Sequence, residues 1–202
     1  MNNFDNQKFK NKFRIKSMRL AGYDYSQDGA YFITICAKDK ENFFGKIINR
    51  EMELSKIGDT AKQFWHEIET LHDFIILDEN IIMPNHLHGI IFIQNPAADA
   101  NIHTNTAVET RQWRVSTTPP TFGKLPKKSI ASIINHYKGA IKKWANNNGY
   151  QNFCWQKNYY DRIIRNEDEL NGIRKYIQNN PANWEGDGDN LEIFLQRKRI
   201  YI

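Results

Sequence analysis

The chain has 202 residues, a formal net charge of +5, 40% hydrophobic residues and 13% aromatic residues. That is enough apolar material for one core, so one domain is expected, or one domain carrying an insert. A membrane-spanning helix is excluded because no run of about 18 apolar residues exists, a secretory signal because Met1 to Lys16 has no apolar centre, and a disulfide or metal framework because Cys36 and Cys154 have no such spacing and read as reduced thiols of a cytoplasmic protein.

Charge is unevenly spread. From Arg111 to Tyr150 there are eight basic residues, Lys138, Lys142 and Lys143 among them, and no Asp or Glu, whereas Glu51 to Glu79 is predominantly acidic. A positive side of this kind favours a polyanion such as nucleic acid, although a lysine-rich solvated surface has the same composition.

In chain order, residues 1–18 are polar and basic and read as a flexible arm or loose cover. Tyr31 to Ala37 is β-branched and aromatic, bounded by Asp28-Gly29 and Lys38-Asp39-Lys40, and predicts a strand. Phe43 to Ile48 with Met52 to Leu54 predicts a small hairpin. Ser55 or Asp59 caps a helix running to about Thr70, with Ile57, Ala61, Phe64, Trp65 and Ile68 at helical spacing. Phe74 to Met83 and Leu87 to Ile93, rich in Ile and Phe, flank Pro84-Asn85 and predict a hairpin turned by those two residues. Alternate residues of a strand share a face, so His86 and His88 project together and Leu87 opposite. Beyond the histidines this strand is apolar on both faces and is expected at the centre of its sheet.

Two imidazoles on one face of a stiff strand form half of a metal site. Taken alone, such a pair is more often structural than catalytic. No acid follows within Gly89 to Gln94, which argues against a cupin-type site and leaves a further ligand to come from elsewhere.

Residues 95–126, dominated by Asn, Ala, Thr, Pro and Gly, read as a mobile insertion. Ser129 to about Asn146 predicts a helix with an apolar stripe of Ile130, Ile133, Ile134, Tyr137, Ile141 and Trp144, and with Lys138, Lys142 and Lys143 on a basic face. Phe153 to Gln156 and Tyr159 to Arg165 predict two short strands. A last helix begins near Asn166, carries acids in its first turn, and stops at Pro181; residues 185–202 extend beyond it. This order predicts an α+β fold, an antiparallel sheet with packed helices of ferredoxin-like type. On the last helix Tyr176 and Asn180 are one turn apart, only about 40° around the axis, beside the stripe of Leu170, Ile173 and Ile177. A boundary tyrosine with a helix-ending asparagine is the commoner reading of that pair alone.

The combination is more specific. Arg19-Leu20-x-Gly22-Tyr23-Asp24-Tyr25, Tyr31 to Cys36, Met83-Pro84-Asn85-His86-Leu87-His88-Gly89, Trp155 to Arg165 and Tyr176-Ile177-x-x-Asn180-Pro181-x-x-Trp184 occur in the order in which they resemble the HUH single-tyrosine transposases, in particular the REP-associated tyrosine transposases. The resemblance spans about Arg19 to Trp184 and leaves out 95–126 and the tail. It implies a ferredoxin-like sheet, a divalent metal (Mg²⁺ or Mn²⁺) on His86, His88 and Asn180, and Tyr176 as the nucleophile. Other members carry Gln where this chain has the shorter Asn180. It further implies cleavage and rejoining of single-stranded DNA near hairpins or palindromic repeats through a 5'-phosphotyrosine. Lys138, Lys142, Lys143 and Arg162 are then candidate DNA contacts, Trp155, Tyr159 and Tyr160 candidate stacking platforms, and the protein a monomer or homodimer. An HUH replication or relaxation nuclease, and a nucleic-acid-binding module without catalysis, are the competing readings.

Overall fold

Tyr31 to Cys36 alternates between two apolar faces and can be satisfied only by a strand covered on both sides. In the computed structural model it lies in β3 (Gly29–Cys36). The structure describes residues 24–94 and 128–187, together with two short paired strands, β1 (Lys8–Phe9) and β2 (Lys12–Phe13). The expected arm, the insertion at 95–126 with Arg111 and Arg114, the motif residues Arg19 to Tyr23, and the tail beyond Asp187 fall otherwise outside the described residues. β4 (Gly45–Ile48) and β5 (Glu51–Leu54) form the expected small hairpin. Asn49 and Arg50 between them are both left-handed, as a two-residue hairpin turn requires.

The helices start where side-chain caps were legible. The Ser55 hydroxyl accepts the Gly58 N–H at the start of α1 (Lys56–Leu71), and Ser129 accepts the Ser132 N–H at the start of α2 (Ile130–Asn147). The Asn166 carboxamide accepts the Glu169 N–H at the start of α3 (Glu167–Asn179). Each bond satisfies one amide that the first helical turn leaves without a partner. β6 (Ile75–Ile82) and β7 (His86–Ile93) form the hairpin, and β8 (Tyr160–Ile164) follows α2.

The sheet order is β6-β7-β3-β8, antiparallel throughout. Each crossover, β3–α1–β6 and β7–α2–β8, passes over one intervening strand. That is the ferredoxin-like arrangement, and it puts the histidine strand in an interior position, as expected. α1 and α2 cover one face, where Tyr31, Ile33, Ile35, Leu87, Ile91 and Ile93 are buried with Trp65, Ile134 and Tyr137. α3 covers the other, where Leu170 and Ile177 bury against Phe32, Ile90, Phe92 and Ile164.

One sequence expectation is corrected. Phe153 to Gln156 is not a strand: its sheet pairing is a single bridge, Ala37 with Trp155. Around that bridge the Lys38 N–H donates to Cys154 O and the Gln156 N–H to Cys36 O, while Gln156 O accepts from Lys138 Nζ and Phe153 O from Lys142 Nζ. The last α-helix ends at Asn179, as expected before Pro181. Asn180 keeps helical angles (φ -58, ψ -43), and Pro181–Gly186 continues as a 3-10 helix whose first turn holds the proline, where the missing N–H costs nothing. Among the described residues no helix is long and apolar enough to cross a membrane.

One contact fixes α1 against the sheet. A Cβ on Gly89 would lie 2.2 Å from Trp65 Cζ2, so the indole occupies the space a side chain would take. Gly89→Ala should destabilise the protein by about 1–3 kcal/mol, as overpacking does. Trp65→Leu should lose less in the Gly89→Ala background than in the parent. Urea unfolding of the four proteins measures the coupling, and additive losses would contradict it.

Candidate active site

The Met83-Pro84-Asn85-His86 turn delivers the histidines, and it is built into the protein rather than exposed. The Met83 N–H donates to His86 O (2.8 Å), the Ala37 N–H to Asn85 O (2.7 Å) and the Phe44 N–H to Pro84 O (2.9 Å). Asn85 is not in a left-handed conformation, so backbone tolerance is not what the position uses. Its side chain is: Nδ2 donates to Lys40 O (2.9 Å), which orients the amide so that Oδ1 faces His86 Nδ1 (2.8 Å). An amide oxygen only accepts. His86 therefore carries its proton on Nδ1 and turns the lone pair of Nε2 outward.

His88 is held from the neighbouring strand. Thr34 pairs with it in the β3–β7 register, and Thr34 Oγ1 lies 2.8 Å from His88 Nδ1. A hydroxyl can donate or accept, so Thr34 supports either tautomer of His88. The two Nε2 atoms converge to 3.0 Å. Phe32 stacks on His88 at 5.3 Å and Trp184 lies 6.0 Å from the His86 ring, which keeps water from both rings. Burial and the positive charge of Lys40 push His88 down to about 3, and burial, the His88 ring and Lys40 hold His86 well below the ordinary range. Both are neutral at pH 7, the form that binds metals.

α3 brings Tyr176 and Asn180 to this pair. Tyr176 Oη is 3.3 Å from His88 Nε2, and the residue is 48% exposed, so the phenol faces both the imidazoles and solvent. Asn180 is 3% exposed, and its Oδ1 has no hydrogen-bond partner among the described residues. Burial, first, and the Asp187 carboxylate raise the phenol's pKa, outweighing the lowering effect of the nearby Asn180 side chain. Tyr176, Asn180, Asn183 and Asp187 line an open cavity of about 540 Å³.

The remaining candidates separate. Arg162, opposite Phe32 in β8, lies on the histidine face but pairs with Glu169 at 2.6 Å. Lys138, Lys142 and Lys143 ride on α2, behind the sheet. Lys138 Nζ donates to Gln156 O (2.7 Å) and Lys142 Nζ to Gln151 O (3.1 Å), so two of these lysines strap down the 151–158 segment, while Lys143 is exposed. Trp155 donates its indole N–H to Lys138 O and packs with Phe44 and Phe153, and Tyr159 packs against the same core. Tyr160, 39% exposed and edge-on to Phe32, remains open to solvent on the histidine face. Thr34 and Lys40 were not singled out as site residues from the sequence, and Asn85 only as a turn former. The available signal was a polar Thr34 at mid-strand among β-branched residues, and an Asn beside the first histidine.

The histidine pair also makes stability depend on pH. A group whose folded pKa lies below its unfolded value near 6.5 contributes fully above pH 6.5 and loses that contribution as pH falls toward the folded pKa. The melting temperature of the metal-free protein should therefore drop between pH 6.5 and about 3, the folded value for His88. Thermal melts across this range should give a shallower slope in His88→Gln; an unchanged slope would place the titration elsewhere.

No protein-family model matches the chain. It is 41% identical over 173 residues to an uncharacterized protein of Haemophilus influenzae, across 85% of this chain and 91% of that one. Its structure is similar to that of a REP-associated tyrosine transposase bound to a REP hairpin, with a TM-score of 0.50 and 15% identity over 83% of this chain and 74% of that chain. The chain thus belongs to one family with the Haemophilus influenzae protein, and its α+β sheet with packed helices is the fold of the REP-associated tyrosine transposases.

Proposed function

We propose that this protein is a metal-dependent single-tyrosine DNA transposase that cleaves and rejoins single-stranded DNA beside a hairpin. The observation that carries the reading is the convergence of Tyr176 Oη, 3.3 Å from His88 Nε2, with the paired imidazoles and the unpartnered Asn180 Oδ1. The solved structure of similar fold holds a REP hairpin, which supports a hairpin substrate.

The donor set fits a divalent ion such as Mg²⁺ or Mn²⁺. Among the described residues no three His, Cys, Asp or Glu side chains cluster, so the third donor would be the Asn180 carboxamide. The two Nε2 atoms, 3.0 Å apart, are close enough for both lone pairs to face one ion, so His86 and His88 would hold it together. A buried carbonyl oxygen without a donor costs free energy that a cation offsets. Two imidazoles and an amide leave further coordination positions for phosphate oxygens. When bound, the ion withdraws electron density from the scissile phosphate and offsets charge that builds on its oxygens.

The chain's own residues do the rest. Asn85 and Thr34 hold the imidazole rings. Tyr176 Oη attacks phosphorus, its proton passing to solvent at the open mouth of the cavity. The P–O3' bond breaks, the 3' oxygen takes up a proton, and a 5'-phosphotyrosine remains. A DNA 3'-hydroxyl can reverse the step, because the phosphodiester energy is kept in the tyrosyl bond. No oxidant or nucleotide is consumed. Lys143 and Arg162 are the candidate DNA contacts with least conflict, whereas Lys138 and Lys142 already serve backbone carbonyls.

Hairpin-bearing single-stranded DNA incubated with Mg²⁺ or Mn²⁺ should give a covalent protein–DNA adduct on a denaturing gel. Tyr176→Phe should abolish the adduct while leaving metal affinity within about twofold, since it removes one oxygen and almost no packing. His86→Ala combined with His88→Ala should abolish both. An adduct persisting in Tyr176→Phe would overturn the nucleophile, and undiminished cleavage by the double histidine variant would overturn the metal site.

A further inference from the structure

Among the described residues, left-handed non-glycine backbone occurs at two adjacent pairs, Asn49-Arg50 and Asp39-Lys40. The first is required by the two-residue turn between β4 and β5. The second, with φ of 56 and 60, belongs to no hairpin. It lies in the 3-10 turn just after β3. Backbone strain of this kind persists only where surrounding bonds over-determine it. Here the bond is identifiable: Asn85 Nδ2 holds the Lys40 carbonyl at 2.9 Å, and the same carboxamide orients His86 through Oδ1 at 2.8 Å. One side chain fixes both a proposed metal ligand and the backbone of a lysine.

The ammonium of Lys40 lies 3.8 Å from Cys36 Sγ. Cys36 is opposite His86 in the β3–β7 register and so shares its face of the sheet. The charge is felt at His86, at His88 and at Asp187, which lines the cavity beside Tyr176. Through its contact with Cys36, the Lys40 ammonium therefore lies on the histidine face of the sheet, beside the imidazole pair. A cation there opposes metal binding. A phosphate oxygen that arrives with the metal relieves that opposition.

We infer that Lys40 is a phosphate-contacting residue, its ammonium receiving a non-bridging oxygen of the phosphate that Tyr176 attacks. The inference rests on the role proposed above for Tyr176 and the histidines. The phosphodiester brings one negative charge, and attack by the phenol adds negative charge to the same oxygens. An ammonium is a compact charge suited to one such oxygen, and the fixed Lys40 backbone aims it before substrate binds.

The test uses the full chain and Lys40→Asn, which removes the charge while tolerating left-handed backbone, with Lys40→Arg as the charge-retaining control. Lys40→Asn should lower the rate of adduct formation on hairpin-bearing single-stranded DNA on the order of 100-fold, as loss of one donor to a developing oxyanion does. It should at the same time bind Mn²⁺ alone more tightly, because a repelling charge is gone. Lys40→Arg should recover part of the rate. In EDTA, a neutral methylphosphonate at the linkage the wild-type protein cleaves should weaken DNA binding by the wild type but not by Lys40→Asn. Weaker Mn²⁺ binding together with a lower melting temperature would show that Lys40 only supports the turn, and would overturn the inference. Equal adduct rates in wild type and Lys40→Asn would overturn it while leaving the tyrosine chemistry standing. No adduct with wild-type protein would overturn the reading of the site and this inference with it.

Discussion

β7 is buried along its whole length, both edges paired and both faces covered. The rest of the structure answers that constraint. On one face Gly89 lets the Trp65 indole approach the backbone, and on the other two imidazoles are taken out of water. Burying two imidazoles is unfavourable unless every ring nitrogen finds a partner. Asn85 and Thr34 supply one each, and the remaining two nitrogens face one another, with Tyr176 Oη 3.3 Å from that of His88. A polar site has thus been placed in the most rigid part of the sheet. The two imidazoles are held there by strand geometry instead of by loops.

Much of this was legible in the sequence because the relevant signals are local. The shared face of His86 and His88 follows from the two-residue period of a strand. The caps at Ser55, Ser129 and Asn166 follow from side chains that reach an amide three residues on. The order of elements was sufficient for the sheet topology, since two crossovers that each skip a strand allow few alternatives. Tyr176 and Asn180 were placed together by the helical period alone.

What escaped the sequence depends on distant partners. Thr34 meets His88 across 54 positions and Asn85 meets Lys40 across 45. Nothing near Thr34 or Lys40 announces those contacts. Lys138 and Lys142 fit a solvated basic face by periodicity, yet the fold brings the 151–158 carbonyls against them, so they act as structural donors to that segment. Asn85 was noticed for the right position and the wrong reason: its carboxamide matters, and its backbone is ordinary.

The bulge in β6 has a consequence for how the molecule moves. Pairing shifts between Leu77 and Asn80, and the two residues in the shift both turn to α3: Asp78 takes a bidentate grip on Arg174 at 2.9 and 2.6 Å, and Glu79 accepts from Gln178 at 2.8 Å. Apart from these polar clasps α3 buries only Leu170 and Ile177 fully, while β7 buries every residue. Of the three α-helices it has the smallest apolar contribution to keep it docked, and its amides should exchange with solvent through openings far short of global unfolding. Asn180 sits at its end. Any ligand that bridges strand and helix adds its own binding free energy to the cost of that opening, so occupancy of the site and docking of the tyrosine are two readings of one equilibrium.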